Sequence, residues 1–198
     1  MSYEVTTLYA GPSAAAFAGQ FDSLVRPLLL DHGAEEATIH EAVTGPMTGK
    51  FTITTRWDSL TSVGRWFQEM PATIGASPAL MATASQYQLE VRVVMKELTS
   101  RGAPEGEFQV ASRYSFSSAP TGLDHAAEIT HGAGANGARI MQIMSGGEWS
   151  AQLIGAMCMD DLEVLDAIMT KTSTDSQFIE NAQASGARLE SRSIFRRL

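Results

Sequence analysis

Ala84-Ser85-Gln86-Tyr87-Gln88-Leu89-Glu90-Val91-Arg92-Val93-Val94-Met95-Lys96-Glu97-Leu98 returns, one hundred residues later and without a gap, as Ala184-Ser185-Gly186-Ala187-Arg188-Leu189-Glu190-Ser191-Arg192-Ser193-Ile194-Phe195-Arg196-Arg197-Leu198. Six of the fifteen positions are identical, where ordinary residue usage gives about one. A duplication at this period sets the architecture before any motif is read.

The match extends toward both N-terminal sides. Val5–Tyr9 corresponds to Val110–Tyr114, Gly33–Ile39 to Gly134–Ile140, and Trp57–Leu60 to Met159–Leu162. The offset drifts by a few residues, as expected when indels fall in loops. The expected division is a first unit over 1–98, a Gly/Pro-bearing linker over 99–106 and a second unit over 107–198.

Each unit reads as strand, helix, strand, strand, helix, strand. Tyr3–Ala10 has the Thr/Tyr/Val bias of a strand. Ser13 is placed to cap a helix whose apolar face is Phe17, Phe21, Leu24, Val25 and Leu28, with Pro27 as a kink and Gly33 as its end. Thr38–Thr44 and Phe51–Trp57 flank the hairpin Gly45-Pro46-Met47-Thr48-Gly49. Leu60, Val63, Phe67 and Met70 mark a second helix, Ser77-Pro78 starts a further helical segment, and Leu89–Met95 closes the unit. The fold class expected is therefore α+β, with two tandem βαββαβ units, an order that resembles the ferredoxin-like fold and implies two units packed sheet to sheet.

Two such units resemble the dimeric α/β-barrel superfamily, which includes antibiotic-biosynthesis-monooxygenase-like, NIPSNAP-like and EthD-like proteins. The resemblance spans the chain and rests on element order and the repeat. It implies an intrachain version of a barrel that others build from two protomers. It also implies a pocket between sheet and helices, used in the superfamily for cofactor-free oxygenation, isomerisation or cyclisation of aromatic or polyketide-like molecules. A second implied reading is a non-catalytic ligand-binding or oligomeric scaffold, as in NIPSNAP-like members. Haem-degrading members carry an axial histidine on the second helix. Here no histidine occurs from Leu60 to Leu98 or after His131, which counts against haem.

Composition narrows the partners. A net charge of −8 argues against nucleic acid or an anionic membrane. No run approaches the ~18 apolar residues of a membrane span, and the first residues lack the pattern of a secretory leader. A single cysteine, Cys158, excludes an intrachain disulfide. These features lead to the expectation of a soluble cytoplasmic protein that binds a small apolar or aromatic molecule, without metal or cofactor. A homo-oligomer is compatible with the sequence.

Several motifs carry less than their letters suggest. Gly132-Ala133-Gly134-Ala135-Asn136-Gly137 spells GxGxxG, but it follows a helix and precedes a strand, the reverse of a dinucleotide loop. Gly45–Lys50 is one residue short of a P-loop and leads into a strand. Met157, Cys158 and Met159 alternate across a strand, which suits packing better than a metal site. No two histidines stand at i, i+4. His125 reads as solvated.

Candidate site residues come from differences between the halves. His40 lies in a strand covered on both faces, and its counterpart is Met141, so the fold does not require histidine there. Trp66 pairs with Ala167 at the same offset. His40 is the candidate base, Tyr9 and Arg56 candidate stabilisers of oxyanion charge, and Trp66 and Phe67 candidate substrate contacts. The pocket is expected in the first half, with the second as its structural partner. Glu90, Arg92, Glu190 and Arg192, repeated in both halves, are expected as an ion-pair network between the two sheets.

Overall fold

The structure, a computed structural model, describes residues 2–198. The first half contributes β1 (Tyr3–Ala10), α1 (Ala14–Gln20), α2 (Arg26–Asp31), β2 (Glu36–Thr44), β3 (Phe51–Trp57), α3 (Leu60–Gly75), α4 (Pro78–Ala84) and β4 (Gln88–Gly102). The second contributes β5 (Phe108–Ser115), α5 (Leu123–Gly132), β6 (Gly137–Ser145), β7 (Leu153–Met159), α6 (Glu163–Thr174), α7 (Ser176–Ser185) and β8 (Arg188–Arg197). Each half is a βαββαβ unit, with strand order β4-β1-β3-β2 in one and β6-β7-β5-β8 in the other. The edges then pair, β2 with β8 and β4 with β6, and the eight antiparallel strands close into a barrel. Closure leaves no free edge to recruit another chain.

Local chemistry explains the helices. Ser13, Ser59, Ser77 and Asp175 each accept a hydrogen bond from a backbone N–H in the first turn of the helix that follows. Pro27 has no N–H to complete an α-helical turn, and the five residues before α2, Phe21–Val25, widen into a π-turn. The glycine-rich stretch 132–137 joins α5 to β6, and the Gly45–Lys50 stretch turns from β2 into β3.

β4 corrects the expected linker. It pairs with β1 through Gln88–Lys96 and with β6 through Val94–Gly102. Residues 99–102 are therefore strand, and only the short stretch before β5 crosses between halves. The crossing residues cannot be a loose tether, because β4 must reach both units for the barrel to close.

Alternation along the strands creates three apolar regions. Val93, Met95, Met141, Ile143 and Ala156 pack inside the barrel. Phe17, Phe21, Phe51, Trp57, Val63 and Trp66 form the core beneath the first-half helices. Val110, Ala135, Met159 and Ile168 do so beneath the second-half helices. Met157 and Met159 face the helices while Cys158 faces the interior, as strand alternation requires.

The repeated charges do not form the expected network between sheets. Val91, Val93 and Met95 take the interior face of β4, and this turns Arg92 outward beneath the helices, where it lies over the Phe67 ring at 5.2 Å. Glu90 pairs with Lys50 at 2.5 Å, and Glu190 accepts from Ser115. A closed barrel needs apolar filling more than it can tolerate four charges, so the interface took the other face of each strand. His125 is also more engaged than expected: its Nε2 lies 2.8 Å from Asp175 Oδ1, tying α5 to the start of α7.

Candidate functional site

Each half encloses a cavity between its sheet and its helices. The first-half cavity measures about 280 Å³ and the second-half cavity about 500 Å³. Small-molecule sites typically run from ~300 to 1,000 Å³, so the larger lies within that range and the smaller at its lower edge. The expectation of one pocket, in the first half, is thus revised: both halves have one, and the second-half cavity is larger.

The difference follows from side-chain volume. The first-half cavity is walled by Tyr9, Phe17, Trp66, Phe67 and Tyr87, with the rings of Phe17 and Tyr87 4.9 Å apart, edge to face. The second has Ala126, Ala127, Gly155, Ala182 and Ala187 in its lining. The repeat places Ala187 where Tyr87 stands, so one of these rings has no counterpart in the second-half wall.

The polar part of each cavity is duplicated. Arg92 on β4 donates from Nε to Thr7 Oγ1 on β1, 3.0 Å away. Arg192 on β8 donates from Nε to Ser112 Oγ on β5, 2.9 Å away. Phe67 and Met169 occupy matching places on α3 and α6. Arg92 stacks over Phe67, whereas Arg192 Nη1 lies 3.1 Å from the Met169 sulfur. This puts the helices at offset 102, so Trp66 matches Ile168 rather than Ala167. Tyr9 and Tyr114 stand one on each first strand, at the irregularity where β1 meets β4 and β5 meets β8.

Neither lining contains an aspartate, glutamate or histidine among the described residues; Arg139, which also borders the second-half cavity, pairs with Glu4, but neither Arg92 nor Arg192 has a carboxylate within salt-bridge distance. Arg92 and Arg192 are half-buried, and beyond the bonds to Thr7 and Ser112 their guanidinium groups keep donors that no carboxylate engages. Each pocket therefore presents a cation able to pair with an acidic ligand oxygen. An imidazole-ligated haem does not fit either lining, since no histidine is there to bind it.

The five residues singled out from sequence divide between two places. Tyr9, Trp66 and Phe67 come together in the first-half cavity. His40 and Arg56 do not join them. Both border the polar end of the barrel interior, with Glu4, Arg139, Cys158 and Arg197, around a space of about 20 Å³. Strand alternation is the cause: Ile39 and Ile53 face the helices, so His40 and Arg56 cannot.

At that polar end Arg139 donates to Glu4 at 2.6 Å, both side chains nearly buried. His40 stands opposite Arg197 across β2 and β8, and its Nδ1 has no hydrogen-bond partner among the described residues. Burial, then the charges of Arg197 and Arg139, hold its pKa down at about 4. The imidazole is neutral at neutral pH. Burial likewise pushes the Cys158 thiol up to about 11, so it is not a ready nucleophile. Arg56 bonds Glu35 at 3.3 Å and Glu36 at 3.1 Å, which leaves it little to offer a substrate.

Sequence reasoning missed Arg92, Arg192, Thr7, Ser112 and Tyr114 as lining residues. The signal was present: arginine is one of the six identities in the repeat, and the strand position opposite carries a hydroxyl in both copies.

No protein-family model and no curated protein sequence matches the chain. Among solved structures, it is similar over its whole length to an anthrone oxidase-like protein, with a TM-score of 0.55, 11% identity and 91% of that chain covered. A candidate chlorite dismutase gives a TM-score of 0.56 at 9% identity, covering 100% of this chain and 94% of the other. The chain has the dimeric α/β-barrel fold. A candidate monooxygenase from Fusobacterium nucleatum subsp. nucleatum also matches this fold, with a TM-score of 0.55 at 8% identity over 99% of this chain and 92% of that one. Identities this low speak to the fold alone. Among the described residues, no helix is long and apolar enough to cross a membrane.

Proposed function

We propose that this α/β barrel binds a small, largely apolar, aromatic or polyketide-like molecule in its second-half cavity, with an acidic oxygen of the ligand held by Arg192. The observation that carries this reading is the Arg192 guanidinium, held by Ser112 and free of any carboxylate partner among the described residues, at the wall of a largely apolar space. An enolate, phenolate or carboxylate supplies the missing charge, and flat rings suit the wall formed by Tyr114, Phe178 and Ile168.

The chemistry that suits such a site is cofactor-independent oxygenation. A substrate with an acidic methylene ionises to an enolate, which Arg192 stabilises. The carbanion reduces dioxygen directly. The methylene becomes a carbonyl and the second oxygen atom leaves as water, so CH₂ + O₂ gives C=O + H₂O. The cavity lining has no carboxylate or imidazole to remove the first proton, so the substrate must be acidic enough to ionise with little help. Anthrone, a tricyclic ketone with such a methylene, is the test compound. Oxygen uptake with anthrone, in metal-free buffer without flavin, should exceed the buffer rate and fall at least tenfold in Arg192→Met. Binding of an anthracene carboxylate without any oxygen uptake would point instead to a non-catalytic carrier or scaffold, which the missing base also favours.

A further inference from the structure

The first-half cavity is the part of the molecule that the proposed function leaves unused. It is smaller, yet it keeps the same recognition element. Arg92 is held by Thr7 as Arg192 is held by Ser112, with hydrogen bonds of 3.0 and 2.9 Å. Tyr9 matches Tyr114, and Leu89 matches Leu189. Arg92 is half-buried, held by Thr7 and stacked on Phe67, and like Arg192 it has no carboxylate partner among the described residues, so its remaining donors are free for a ligand.

We infer that the first-half cavity is a second binding site, for a smaller aromatic molecule carrying an acidic oxygen, and that one chain binds two ligands of different size. The inference rests on the proposed reading of Arg192, but it concerns a different cavity. The two sites share their anchor and differ in their walls. In the first half, Phe17, Trp66, Phe67 and Tyr87 contribute rings to the wall of a space of about 280 Å³. That shape favours a one- or two-ring ligand stacked among aromatic side chains. In the second half, small residues leave about 500 Å³, enough for a third ring. Duplication followed by divergence of the walls, with the arginine retained, is the route from one specificity to two.

The full chain should be titrated calorimetrically with 1-naphthoate and with 9-anthracenecarboxylate. The expected stoichiometry is two naphthoates and one anthracenecarboxylate per chain. Arg92→Met should remove one naphthoate, weakening that site at least tenfold, and leave anthracenecarboxylate binding as in the unaltered protein. Arg192→Met should remove the other naphthoate and the anthracenecarboxylate, leaving one naphthoate bound through Arg92. Since Arg92→Met also removes the bond to Thr7, Ala84→Trp serves as a second variant. Ala84 is an exposed residue at the cavity wall, and a large ring there should block the first site without touching the core. A single naphthoate per chain that survives both Arg92→Met and Ala84→Trp and disappears in Arg192→Met would overturn the inference and leave the proposed function standing. Absence of any binding of either probe would overturn both.

Discussion

Arg192 and Ser112 face each other directly across the β5–β8 pair, and the guanidinium Nε donates to the serine hydroxyl at 2.9 Å. The hydroxyl aims the guanidinium without neutralising it. A carboxylate in place of Ser112 would close the site electrostatically. A hydroxyl leaves the charge for a ligand, and this is the physical basis of the functional reading.

Removing that charge should weaken binding far more than it weakens the fold. Hydrogen bonds to charged groups contribute about 1.5–3 kcal/mol, so Arg192→Met should lower affinity for 9-anthracenecarboxylate by ten- to a hundredfold. Arg192→Lys should retain part of the affinity, because the point charge remains while the planar fork is lost. Titration calorimetry with parallel thermal melts separates these outcomes from unfolding.

The Glu4–Arg139 pair predicts the opposite balance. Its side chains are 7% and 11% exposed, and it ties β1 of the first half to β6 of the second inside the barrel. Arg139→Met strands the Glu4 carboxylate and should cost about 3–5 kcal/mol, while the double change Glu4→Gln with Arg139→Met should recover a large part of it. Chemical denaturation of the three proteins measures this. An Arg139→Met variant as stable as its parent would show that the pair is solvated.

His40 makes stability depend on pH. Its pKa is about 4 in the folded chain and 6.5 as the reference value. Between these values the unfolded chain takes up a proton that the folded chain refuses. The stabilisation is therefore full above pH 6.5 and is lost as pH falls toward 4, amounting to about 3 kcal/mol at most. His40→Gln should show a shallower decline across that window in denaturation curves collected at half-unit pH steps.

Gly45 should resist substitution. Its φ is +89°, in the left-handed region, and a Cβ there would collide with the backbone carbonyl of Arg192 and the Ser193 hydroxyl on β8. Gly45→Ala combines backbone strain, of order 1–3 kcal/mol, with a clash at the β2–β8 seam. The melting temperature should fall, and amide exchange should quicken at Ala42 and Phe195, which pair across that seam.

The duplication made the eight strands legible, because a repeat of βαββαβ order admits few arrangements. Ser13, Pro27 and Ser77-Pro78 punctuated the helices in ways that local chemistry dictates. Which strand face turned inward was not legible. Both faces of every strand are covered, one by helices and one by the barrel, so period-two alternation marks two sets of residues without ranking them. Arg92, Arg192 and His40 were assigned to the wrong faces for that reason. Cavity size was equally hidden: it depends on how side chains of different volume, such as Tyr87 against Ala187 and Phe67 against Met169, pack in three dimensions.

The central claim is that the second-half cavity, anchored by Arg192, is the ligand site. A crystal structure of the full chain soaked with 9-anthracenecarboxylate tests it most directly. The account predicts the carboxylate within hydrogen-bond distance of the Arg192 guanidinium, with the three rings lying between β5–β8 and the α6–α7 helices near Tyr114 and Ile168. Density for the ligand inside the barrel near His40, or only on the outer surface, would contradict it.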